Sequence, residues 1–95
     1  MALPDEVCVR QATRTAAREI GGRAVVVVID QSKLHTLNPV GSFVWALCDG
    51  RSLAALVEAV QAEFEVAEDR ARNDVSAFVE ELHGLGALEL QGADR

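Results

Sequence analysis

Ninety-five residues, 49% of them apolar, suffice for one small domain with a single core. A formal charge of −6 argues against non-specific nucleic-acid binding, which needs Lys and Arg to neutralise phosphates. The charge is uneven: residues 1–37 carry five basic and four acidic groups, net +1, and residues 38–95 carry four basic and eleven acidic groups, net −7.

No apolar run is long enough for a transmembrane helix, and the start "MALPDEVCVR" lacks the basic and apolar regions of a signal peptide. Two cysteines, Cys8 and Cys48, stand far apart with no CxxC. A disulfide framework and a zinc site are therefore not expected, and a cytoplasmic protein with reduced thiols, no cofactor and no membrane contact is.

Residues 1–12 show no period and predict a flexible N-terminal arm. The run "RTAAREI" is followed by Gly21-Gly22, a hairpin signal, and then by "RAVVVVID", the strongest strand signal in the chain. "QSK" predicts a short turn and "LHTL" a third strand. The expected order is a three-stranded antiparallel meander over 14–20, 23–30 and 33–38.

From Asn38 the apolar period changes from two to 3.6. Asn38 suits an N-cap and Pro39 the first helical position. Val40, Phe43, Val44 and Leu47 share one face of the predicted helix, which Asp49-Gly50 is expected to end. Trp45 lies off that stripe, either in a two-sided core or as an exposed contact. Ser52 caps a second helix with the stripe Leu53, Leu56, Val57, Val60 and Phe64. A third begins near Glu68, with Ala71, Val75, Phe78, Leu82 and Leu85 as its expected buried stripe and Gly86 as its stop. "ALEL" adds a short terminal strand. The fold class is α+β and winged-helix-like, with one domain over 13–90 and a tail at 91–95.

No residue set for catalysis occurs: no GxSxG, no phosphate-cradling GxxxxGK[ST], no HExxH. His35 and His83 have no Cys or carboxylate at metal spacing, so solvated or packing roles are expected for both. Glu68-Asp69 and Glu80-Glu81 are most simply solvated helix faces, with Glu68 placed to pair with Arg72 at i, i+4. Val79, Arg72, Ser76 and His83 flank the third helix's stripe, either as a groove wall or as a solvated shoulder. The third strand is a sheet edge, kept short for solubility or open to an incoming strand.

Taken in order, "LHTLNPVGSFVWALCDG", "LAALVEAVQAEFEV" and "DVSAFVEELHGLGAL" resemble the PqqD-like family. Leu37-Asn38 matches the end of a strand, Val44-Trp45 a hydrophobic-Trp pair, and Asp49-Gly50 the segment after it. Leu82 through Gly86-Ala87 matches the end of the final helix, and "REIGGRAVVVVID" looks like the family's first hairpin. The likeness covers residues 14–90. It departs at Ala67, where the third helix has no strong cap, and at His35, where the third strand has no aromatic residue.

The resemblance implies a non-catalytic adaptor, a peptide chaperone. Such a module binds the leader segment of a ribosomally made precursor peptide and presents it to a modifying enzyme such as a radical-SAM protein. It implies a leader added as a strand beside the third strand, against the third helix. Peptide-binding residues expected on that basis are Lys33, Leu34, His35, Thr36, Leu37, Arg72, Val75, Ser76 and Val79. A winged-helix transcriptional regulator is the alternative, and a structural subunit of an enzyme complex is another. The third helix, with five acidic and two basic residues over 68–85, speaks against the regulator. An apolar edge strand also allows a homodimer.

Overall fold

A computed structural model describes residues 3–92. The chain forms β1 (Cys8–Gln11), β2 (Thr15–Ile20), β3 (Arg23–Val28), a 3-10 turn (Ile29–Gln31) and β4 (Lys33–Thr36). There follow α1 (Pro39–Ala46), β5 (Asp49–Ser52), α2 (Leu53–Phe64), α3 (Glu68–Gly84) and β6 (Leu88–Gln91). The expected α+β fold, a three-stranded antiparallel sheet with three helices, is present as the meander β2-β3-β4 with α1, α2 and α3. A second three-stranded sheet, in the order β5-β1-β6, was not anticipated as such; only its terminal strand β6 was.

Local chemistry explains most boundaries. Gly21 and Gly22 have φ of +62° and +81°, the left-handed pair that a two-residue hairpin needs and that other residues adopt at a cost. Asn38 Oδ1 accepts a hydrogen bond from the Gly41 N–H at 2.7 Å, capping α1, and Pro39 follows at the first helical position. Ser52 Oγ accepts from the Ala55 N–H at 3.2 Å and caps α2 in the same way. Ala67 precedes α3 with no side-chain cap; Glu68 and Asp69 instead set negative charge at the positive end of the helix dipole.

Three expectations are corrected. Residues 1–12 are not a loose arm where the structure describes them: β1 is the central strand of the second sheet, and Val7 and Val9 are buried, at 7% and 0% exposure. Met1 and Ala2, and Ala93 to Arg95 of the expected tail, lie outside the described residues, and Gln91 belongs to β6. Asp49-Gly50 does not end a helix; α1 stops at Ala46 with Leu47 as its cap. Asp49–Ser52 turns outward as β5 and pairs with β1, Gly50 taking a φ of +108°.

One core joins the layers. It takes Val26 and Val28 from β3, Val9 from β1, Val44 and Trp45 from α1, Leu53, Leu56, Val57 and Val60 from α2, and Ala71, Val75, Val79 and Leu82 from α3. Trp45 is 4% exposed, so it belongs to the core rather than to a contact surface. Alternation along β3 turns Ala24, Val26 and Val28 inward and leaves Val25 and Val27 half-buried on the outer face. Beside that outer face stand two exposed apolar residues, Ile20 and Leu34, at 59% and 66%.

Candidate functional site: a groove between β4 and α3

Among the described residues β4 pairs with β3 on one side only, so its other side is a free edge of the sheet. The register pairs Val25 with Thr36, Val26 with His35, Val27 with Leu34 and Val28 with Lys33. The Leu37 N–H continues this ladder to the Ala24 carbonyl at 2.8 Å. In an antiparallel ladder, alternate residues point their backbone groups at the partner strand. Leu37 and His35 therefore face β3, and Leu34 and Thr36 turn their N–H and C=O groups outward. The available edge ends at Leu37, whose carbonyl accepts from Arg23 Nε at 2.9 Å and Ser42 Oγ at 3.3 Å.

Beside this edge runs a groove of about 470 Å³. Leu34, His35, Thr36, Leu37 and Asn38 form one wall, and Phe78, Glu81 and Leu82 of α3 with Leu85, which caps that helix, form the other. Gly41 and Arg23 close one side. A second concavity of about 430 Å³ shares Asn38, Gly41, Phe78 and Glu81 with the first and extends it to Arg70 and Asp74. Gln31 Nε2 donates to the Leu85 carbonyl at 3.0 Å, tying the turn before β4 to the end of α3. A Cβ on Gly41 would stand 3.0 Å from Phe78 Cε1, so the absent side chain lets the Phe78 ring seat against α1.

The structure brings together four of the nine residues singled out in the sequence. Leu34, His35, Thr36 and Leu37 line the groove, and Lys33 is exposed at the start of β4. The four expected from α3 do not line it. Val75 and Val79 are both at 0% exposure in the core, where no peptide reaches them. Arg72 pairs with Asp5, near the N-terminus, and with Glu68. The hydrogen bonds to Glu68 and Asp5 raise the guanidinium's pKa above its already high value, so Arg72 stays charged. Ser76 is half-buried next to Val75.

The helix wall was missed because Phe78 and Val79 compete for one place in the stripe. From Val75, Phe78 lies about −60° and Val79 about +40° around the helix. Both fall inside a stripe roughly 100° wide. The sequence pattern puts Phe78 in the stripe and Val79 on its flank, whereas packing seats Val79 and leaves Phe78 and Leu85 half-buried on the groove.

Among the described residues, no group of three or more His, Cys, Asp or Glu side chains is placed to hold a metal ion. Cys48 is 2% exposed, and burial, with Asp49 second, pushes its thiol pKa up to about 12, so it is no nucleophile near neutral pH. Among the same residues no helix is long and apolar enough to cross a membrane.

Two solved structures share the architecture. One, described as "TbiB1 in Complex with the TbiA(beta) Leader Peptide", superposes with a TM-score of 0.79 at 24% identity, over 90% of this chain and 99% of that one. The other, "Lasso peptide synthetase B1 complexed with the leader peptide", gives 0.74 at 22% identity, over 85% and 96%. No curated protein matches the sequence. The family model for coenzyme PQQ synthesis protein D (PqqD) matches residues 23–88, from the start of β3 to the start of β6, and so takes in β4, α3 and the groove between them. The chain belongs to the PqqD family.

Proposed function

We propose that this protein is a non-catalytic adaptor that binds the leader segment of a ribosomally made precursor peptide and hands it to a modifying enzyme. The observation that carries this reading is the free edge of β4 beside a groove whose far wall carries Phe78, Glu81 and Leu85. An extended peptide laid along β4 pairs with the outward groups of Leu34 and Thr36, which gives affinity independent of side chains. Every second peptide residue then points to α3, where the half-buried Phe78 and Leu85 offer apolar contact. Two relatives of this fold hold leader peptides, and family membership points the same way. On this reading the protein works in the cytoplasm, where precursors are made, and its enzyme partner is of a kind such as a radical-SAM protein. The β4 edge is also where a second copy would pair, in competition with the leader.

The test is NMR shift mapping of the labelled protein titrated with synthetic precursor leaders. Perturbation of Leu34, Thr36, Phe78, Glu81 and Leu85 is expected. Shifts confined to α2 and the β2–β3 hairpin would overturn the assignment.

A further inference from the structure

Among the described residues, His35 Nε2 is the buried side-chain nitrogen or oxygen with no hydrogen-bond partner. Native folds rarely leave such an atom unpaired, because its lost hydration is then uncompensated. The position of this one is specific. His35 stands opposite Val26, on the inner face of β4, and lines the groove. Its own backbone groups face β3, so only its side chain is free to address a bound peptide.

We propose that His35 selects, at one position of the bound leader, a side chain with a neutral hydrogen-bonding tip, a hydroxyl or an amide. The proposal rests on the reading of β4 as the leader-binding edge. The ladder alternation fixes which leader residue is meant. With the leader antiparallel to β4, Leu34 and Thr36 make hydrogen-bonded pairs with the residues opposite them, so the residue between those two faces His35 in a non-hydrogen-bonded pair. Such pairs bring side chains closest, with Cα atoms about 4.5 Å apart on the same sheet face. That side chain enters the groove beside His35, between β4 and the Phe78–Leu82–Leu85 wall. The terminal torsion of a histidine is broad, so the ring turns at little cost to present Nε2 to the groove.

Chemistry narrows the partner. A hydroxyl or an amide both donates and accepts, so it can pair with Nε2 whether or not that nitrogen carries a hydrogen. Arg23 and Glu81 both line the groove, so a charged tip of either sign meets a like charge there and gives up water on entry. A purely apolar side chain leaves Nε2 as it is, unpaired.

The experiment is selection from a displayed library of random linear peptides against the wild-type protein and the variants His35→Phe, His35→Leu and His35→Gln, each first shown to be folded by circular dichroism. The wild type and His35→Gln should enrich Ser, Thr, Asn, Gln or Tyr at one position. His35→Phe and His35→Leu should enrich apolar residues there and keep the rest of the consensus. Calorimetric titration with the wild-type consensus peptide and its apolar analogue should show at least about a fivefold loss on the wild type and none on His35→Phe. The same consensus and the same loss on His35→Phe would overturn the role of His35 while leaving the β4 site standing. Selected peptides whose binding is indifferent to Thr36→Pro would instead overturn the site itself, and the proposal with it.

Discussion

Replacing Thr36 with proline deletes one of the two N–H groups that β4 turns outward. An edge position tolerates proline, because no intramolecular ladder bond is lost. Thr36→Pro should therefore weaken leader binding about tenfold, through one missing hydrogen bond and the intruding ring, with little change in the thermal melt. A calorimetric titration beside a circular dichroism melt checks both halves. Val79→Asp behaves differently. At 0% exposure it would bury an unpaired carboxylate, so unfolding is expected from the melt rather than a selective loss of binding. Phe78→Asp is the variant that sets a charge on the groove wall. Cys48 supplies a pH dependence. Its folded pKa, about 12, lies above the ordinary thiol value of 9.0, so the folded state holds the proton that the unfolded state releases first. Stability contributed by this thiol is complete below about pH 9 and is lost as pH rises towards 12. Urea titrations at rising alkaline pH should show the fall, and Cys48→Ala should flatten it. At neutral pH, iodoacetamide should label Cys8 in the folded protein and Cys48 only after unfolding.

Within elements, the start of α1 carries two duties at one residue. Gly41 donates its N–H to the cap at Asn38, and its missing side chain makes room for Phe78. Gly→Ala inside an open helix gains about 0.5–1 kcal/mol. Here the added methyl would sit 3.0 Å from Phe78 Cε1 and 3.1 Å from Asn38 Oδ1, so both the ring and the cap must move. Overpacking of this kind typically costs about 1–3 kcal/mol. Gly41→Ala should therefore be destabilising by about 1 kcal/mol in a urea titration and should also reduce peptide binding through the displaced ring. Capping chemistry of this sort was legible in the residues: Asn38-Pro39 and Ser52 announce their helices because side-chain oxygens bond the backbone within three residues. β5 was not legible. Its pairing with β1 joins segments about forty residues apart, and no local pattern in "DGRS" records that.

For the whole molecule, the N-terminal segment tests the architecture. β1 lies between β5 and β6, Val9 is fully buried, and Arg10 pairs with Glu89 at 2.9 Å. Deleting residues 1–12 removes two buried valines, worth about 1.5–3 kcal/mol each, and leaves β5 and β6 without the strand between them. The total stability of a domain this size is about 5–14 kcal/mol. The truncated chain should be unfolded or molten by circular dichroism and near-complete in amide exchange.

Sequence alone determined the meander, the three helices and the placement of β4 at a sheet edge. Each of these rests on short-range chemistry: the glycine pair of a hairpin, the valine run of β3, the caps and the apolar periods. Resemblance added the kind of partner to look for. Only the tertiary structure decided that the first residues complete a second sheet, that Phe78 and Leu85 rather than Val75 and Val79 wall the groove, and that Leu34 and Thr36 are the residues turned outward. A helix stripe defines a face to within about one residue's rotation, and the packing of α2 and β6 against α3 settles which side chain within that width is buried. Likewise, backbone direction on an edge strand follows from its pairing with β3, which runs from Val28–Lys33 to Ala24–Leu37 and which the pattern of β4 by itself does not record.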